Sequence, residues 1–162
     1  VPALEMDGLA MCESGAILLH WAETPGPHLR VAEGERGRAA FLQRVHYAET
    51  LGAHLANLTQ YHIVLREDWM RLQVVMRLEA LRLAAALRGV GPGWTTGQFT
   101  VADIALGYAV WIAQRFVELP PHAARYLDAC QARAAFQRAE ALNGPAVIYT
   151  HAFYPPPEEQ RP

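Results

Sequence analysis

The sequence predicts a mainly α-helical protein, and three observations predict it. Long stretches carry apolar residues at three- and four-residue steps. A capping signature, Phe99-Thr100-Val101-Ala102-Asp103-Ile104, opens a strongly apolar segment. Only one short stretch near the start alternates like strands, and it holds Asp7-Gly8, a two-residue hairpin turn.

Composition bounds the rest. The chain has 162 residues, 52% of them hydrophobic and 19% charged, which suits one globular domain with a core of its own, or one domain plus part of another. The net charge is −2, so there is no electrostatic case for nucleic acid. All fourteen basic residues are arginine, read here as genomic composition bias. Two cysteines, Cys12 and Cys130, make neither a disulfide framework nor a metal pattern. The expected compartment is the reducing cytoplasm. No apolar run is long enough to span a bilayer.

In chain order, residues 1–6 form one strand and Leu9-Ala10-Met11-Cys12 the return. Leu4 and Met6 share a face, as do Leu9 and Met11. Two strands alone are marginal in water, and no further strand follows, so the chain is expected to be a piece of something longer. Ser14 reads as the N-cap of a helix reaching Glu23, with Ile17, Leu18 and Trp21 as its apolar stripe. Thr24-Pro25-Gly26-Pro27 breaks that helix, and residues 24–36 read as a linker.

From Gly37 to about Leu58 a long helix buries Phe41, Val45, Ala48, Leu51, Leu55 and Leu58. His46, His54 and His62 recur every eight residues, which is not the i, i+4 pair of a zinc site, so no metal is expected. A second helix is expected from Val64 to Arg88, with Trp69, Leu72, Met76, Leu83 and Leu87 inward. Gly89-Val90-Gly91-Pro92-Gly93 ends it. Next, Thr100 and Asp103 form the capping pair, and Phe99 with Ile104 has the spacing of a hydrophobic staple. The helix they open is apolar almost all round and belongs inside a bundle. Two shorter helices follow, from Ala123 and from Phe136, before a proline-rich end, Tyr154-Pro155-Pro156-Pro157, read as a loose tail. Cys130 reads as a small buried residue.

Two stretches carry a family resemblance. Val1-Pro2 opening a strand, a hairpin, then Glu13-Ser14-Gly15-Ala16-Ile17 opening a helix resembles the second half of the thioredoxin-like domain of cytosolic glutathione transferases. Phe99-Thr100-Val101-Ala102-Asp103-Ile104-Ala105-Leu106 resembles the capping motif of their helical domain. The resemblance covers roughly residues 1–142. It implies a truncated thioredoxin-like part (1–23), the linker (24–36), an all-helical domain (37–150) and a tail (151–162).

The resemblance also implies a site. Val1, before a cis Pro2, would pair its backbone with the cysteinyl part of glutathione. Glu13 would meet the α-amino group, and Ser14 the α-carboxylate. Tyr47 is a candidate for the pocket of an electrophilic substrate. A homodimer is implied. The family's activating tyrosine, serine or cysteine would lie before Val1, so no catalytic residue is assigned in this chain. The implied activity is conjugation of glutathione to an electrophilic small molecule. The alternative is a non-catalytic helical binding or dimerisation module. A hydrolase is not supported, because Ser14 is in no nucleophile elbow. Cys12 is discounted as a nucleophile, since the neighbouring Glu13 would raise its pKa.

Overall fold

The computed structural model describes residues 3–144 and 147–157. A two-stranded hairpin precedes six α-helices. Strand β1 (Ala3–Met6) pairs antiparallel with β2 (Leu9–Cys12). Asp7 and Gly8 both take positive φ, 52° and 80°, which a two-residue primed turn requires. The register sets Leu4 opposite Met11 and Met6 opposite Leu9, so each apolar pair shares a face. Val1 and Pro2, and with them the expected cis bond, lie outside the described residues.

Helix α1 (Ser14–Glu23) follows at once. Here one expectation fails. Ser14 is the first helical residue, not the cap; the cap position belongs to Glu13, at φ 72° and ψ 110°. The chain turns so sharply from β2 that the residue between them must take a positive φ. Trp21 is 43% exposed, and Ala22 is the helix's buried residue, with Leu18 and Leu19 beside it. The stretch read as a linker is ordered in part. It holds a 3-10 turn at Pro27–Leu29, and Val31 is buried, its carbonyl accepting a 2.7 Å bond from Arg38.

Helix α2 (Arg38–Thr59) buries Phe41, Val45, Ala48, Leu51, Leu55 and Leu58, the stripe its periodicity predicts. A π turn at Gln60–Val64 extends it. The second helix starts later than expected. Residues 65–72 are extended apart from a 3-10 turn at Asp68–Met70, and α3 runs Gln73–Leu87. Met76, Leu83 and Leu87 are buried as expected, but Trp69 is 79% exposed and Leu72 is exposed too.

Helix α4 (Val101–Ala113) is the axis of the bundle. Its start joins α1 and α2 in a small core of Ala22, Val31, Phe41, Val45, Val101 and Ala102. Further along, Leu106, Val110 and Ala113 pack with Leu51, Leu58 and Leu83 in the main core. It is not buried on every side, since Ile104 and Tyr108 are open to solvent. The reciprocal capping box of Thr100 and Asp103 is formed. Helix α5 (Pro121–Gln131) starts on its proline and buries Ala123, Tyr126, Leu127 and Cys130. Helix α6 (Ala134–Asn143) closes the order. Within the expected tail, Tyr154 is part of the main core and donates its N–H to the Arg115 carbonyl at 2.6 Å, while residues 158–162 lie outside the described residues.

Candidate functional site

The start of α1 carries two of the sequence-predicted residues, Glu13 and Ser14, while Val1 and Pro2 lie outside the described residues. The N–H groups of Ser14, Gly15 and Ala16 lie in the first turn and have no intrahelical acceptor. The first intrahelical bond runs from Ile17 N–H to the Glu13 carbonyl at 2.9 Å. Released from capping, the Ser14 hydroxyl points toward α2 and donates to Glu49 Oε1 at 3.5 Å. Glu13, Ser14 and Glu49 are all exposed. The site therefore sets free N–H groups and a hydroxyl beside the Glu49 carboxylate, with Glu13 next to Ser14 in the chain. Helix N–H groups favour an anion and carboxylates favour an ammonium, so the arrangement suits a ligand carrying both, as an α-amino acid does.

Glu13 holds its place at a cost. A non-glycine residue at φ 72° lies in a sparsely populated region, worth about 1–3 kcal/mol. Glu49 escaped the sequence reading. The signal was its position four residues after Val45, on the face of α2 turned toward α1. Gly15 reports the same approach, since a Cβ there would lie 3.5 Å from Glu49 Oε1 and 4.0 Å from Val45.

The structure does not bring Tyr47 to this site. Two residues along a helix turn the side chain by about 200°, so Tyr47 points away from the face that carries Val45 and Glu49. Its hydroxyl donates to the Ala86 carbonyl near the end of α3. It lines a cleft of about 220 Å³ with Arg44, Gly89 and Thr95. Arg44 crosses this cleft, donating to Thr95 Oγ1 at 2.7 Å and to the Gly89 carbonyl at 2.9 Å. That is a tie between α2 and the loop after α3. Larger hollows of about 500 Å³ and 370 Å³ lie between α4 and α6. Neither is lined by Glu13 or Ser14.

The residues of the capping motif support the bundle. Asp103 Oδ2 accepts the Thr100 N–H at 2.9 Å and the Thr100 hydroxyl at 3.0 Å. Its Oδ1 accepts the Tyr126 hydroxyl at 3.0 Å. Burial pushes the Asp103 carboxyl above its ordinary pKa against the pull of those bonds. Burial, then the Asp103 charge, pushes the Cys130 thiol up to about 11, which leaves it inert as a nucleophile. Phe99 packs on Trp94, its ring centroid 5.1 Å away, with the Arg133 guanidinium 3.5 Å over its own face. Ile104 is 40% exposed and lines the same hollow as Phe99. Among the described residues no group of three or more His, Cys, Asp or Glu is placed to hold a metal. His54 instead bonds Glu79 at 2.7 Å. Among them, too, no helix is long and apolar enough to cross a membrane.

With this geometry in place, comparison with solved structures identifies the architecture. A glutathione transferase from Methylococcus capsulatus superposes with a TM-score of 0.69 at 25% identity, covering 89% of this chain and 73% of its own. The fold is that of the bacterial glutathione transferases. A theta class enzyme from Xanthomonas axonopodis pv. citri with glutathione bound superposes at TM-score 0.67 and 23% identity, over 84% of this chain and 76% of its own. A sphingomonad glutathione S-transferase complexed with glutathione gives 0.67 at 22%, over 90% and 75%. No protein-family model matches the chain, and no curated protein sequence does.

Proposed function

We propose that this chain binds the γ-glutamyl end of glutathione at the start of α1, as part of a glutathione transferase acting on an electrophilic small molecule. One observation carries the proposal: the hydroxyl of Ser14, the first residue of α1, lies 3.5 Å from the Glu49 carboxylate, at a helix start whose first N–H groups are free. In the proposal the N–H groups and hydroxyl of Ser14 take the α-carboxylate of the tripeptide. Glu13 and Glu49 take its α-ammonium. Val1 and Pro2 pair with its cysteinyl backbone.

Transfer adds the glutathione thiolate to the electrophile. The thiol loses its proton more readily when a donor hydrogen-bonds the sulfur. The proposal gives that role to no residue of this chain, and places the protein in the cytoplasm. It also assigns a homodimer, supported by α3, where Val74, Leu78 and Leu81 form an exposed apolar stripe at i, i+4, i+7. The same stripe favours the second reading, a non-catalytic binding or dimerisation module of this fold.

Isothermal titration with glutathione tests the proposal. The chain is expected to bind with micromolar-to-millimolar affinity. Ser14→Ala removes a hydrogen bond to a charged group and weakens binding about tenfold or more. A well-folded chain that takes up no glutathione leaves the second reading standing.

A further inference from the structure

The far end of α2 carries a group that the proposed site does not use. There the backbone ladder widens: Leu65 N–H donates to the Gln60 carbonyl five residues back at 2.9 Å. Such π turns recur at functional positions. This one carries His62, whose ring centroid lies 5.5 Å from that of Phe116 and 5.9 Å from that of Tyr154. Its Nε2 is shut off from solvent and has no hydrogen-bond partner among the described residues.

The rings around His62 come partly from a strap, residues 148–157, that recrosses the bundle. Tyr149 Oη lies 3.0 Å from Thr59 Oγ1 near the end of α2. Arg115 donates to the His151 carbonyl at 3.2 Å, and His151 N–H donates to Tyr154 Oη at 3.1 Å. Tyr154 N–H closes the strap onto the Arg115 carbonyl at 2.6 Å. His62 thus sits under the strap's most buried residue.

We propose that His62 is a proton-operated latch: neutral, it lets the strap pack on the end of α2, and charged, it releases the strap. A proton on Nε2 would create a donor with no acceptor in a pocket of rings. The neighbouring charges do not compensate. Arg71, beyond the π turn, donates to the Leu65 carbonyl at 2.9 Å and is of like sign. Of the two acids that follow the π turn, Glu67 is exposed and Asp68 pairs with Arg71 itself at 3.2 Å. From the end of α4 come Arg115, bound to the strap, and Glu118, which lines a separate hollow with Phe153. The strap brings His151 and the phenols of Tyr149 and Tyr154.

The direction follows from linkage. Burial first, and then the charge of Arg71, holds the docked ring below its ordinary value of 6.5. Docking is therefore complete above 6.5 and is lost as the pH falls from there toward the docked value. Each unit between docked and free ring lowers the docking constant tenfold.

Hydrogen exchange of the full chain, with the Tyr154 amide as reporter, tests this. Protection is expected to fall between about pH 7.5 and about pH 5. His62→Phe keeps a packed ring that cannot titrate, and its protection is expected to stay level over that range. Parallel loss in wild type and His62→Phe overturns the latch, as does level protection in wild type. An independent measurement follows the His62 ring by NMR. In Tyr154→Ala its pKa is expected to rise toward 6.5, and an unchanged value likewise overturns the proposal.

Discussion

Replacing Asp103 by alanine should be among the most damaging single changes in the bundle. The carboxylate is 1% exposed and accepts from Thr100 N–H, Thr100 Oγ1 and Tyr126 Oη at 2.9, 3.0 and 3.0 Å. Alanine leaves the Thr100 N–H and the Tyr126 hydroxyl buried without that acceptor, at about 1–3 kcal/mol each. Against this stands relief from burying a charge, a cost visible in the raised pKa of the carboxyl. The net expectation is about 3 kcal/mol, a large share of the roughly 5–15 kcal/mol that holds a domain together. Urea unfolding followed by far-UV circular dichroism reads it. With a slope near 2 kcal/mol/M the midpoint falls by about 1.5 M, and the slope itself is unchanged. Asp103→Asn keeps an acceptor and should cost about half as much. A loss below about 1 kcal/mol for Asp103→Ala would refute the reasoning, for it would mean that the buried donors find other partners. The pH dependence gives a second check. The folded pKa lies above the unfolded value of 3.8, so this group's linkage contribution is fully present below 3.8 and is lost as pH rises through the folded value. Asp103→Asn should lack that dependence.

Other outcomes are expected from the same structure. A Cβ at Gly107 would lie 2.9 Å from Cys130 Sγ, so Gly107→Ala should cost about 1–3 kcal/mol, and adding Cys130→Ala should recover most of it in a double-mutant cycle. Glu79 is 4% exposed; burial works to raise its pKa, but hydrogen bonds from His54, Arg82 and Asn57 outweigh it and hold it below 4.5. The stability it contributes is present above 4.5 and lost as pH falls through the folded value. Chemical unfolding across that range should show the loss in wild type and not in Glu79→Gln. Glu13→Gly removes a positive-φ strain at φ 72° and should not lower stability, while its weaker glutathione binding, measured by titration, would mark the carboxylate's role.

Patterns local in sequence determined much of this protein. The hairpin was legible because Asp-Gly sets its own turn. Helix α2 was legible because six apolar residues keep one phase over its whole length. The capping box is a contact between residues three apart, so its parts could be read directly. For the candidate site, Glu13 and Ser14 could be proposed from their sequence, but their neighbour Glu49 could not.

Only the tertiary structure decided the rest. Ser14 lost its capping place because β2 enters α1 through a positive φ at Glu13, a bend set by how the hairpin meets the helix. Glu49 reaches Ser14 across 35 positions, a distance that no local pattern encodes. The hydroxyl of Tyr47 bonds the Ala86 carbonyl across 39 positions, a partner that no local pattern names. The supposed helix start at Val64 gave way to a π turn and an extended segment, since Trp69 and Leu72 had no core to face. The strap is the same lesson reversed: its prolines forbid a helix, yet Tyr154 is buried because the end of α4 and His62 offer it a carbonyl and rings to pack on. Backbone propensity and periodicity act over a few residues and can be read in order. Burial depends on which surfaces meet, and those meetings exist only once the chain is folded.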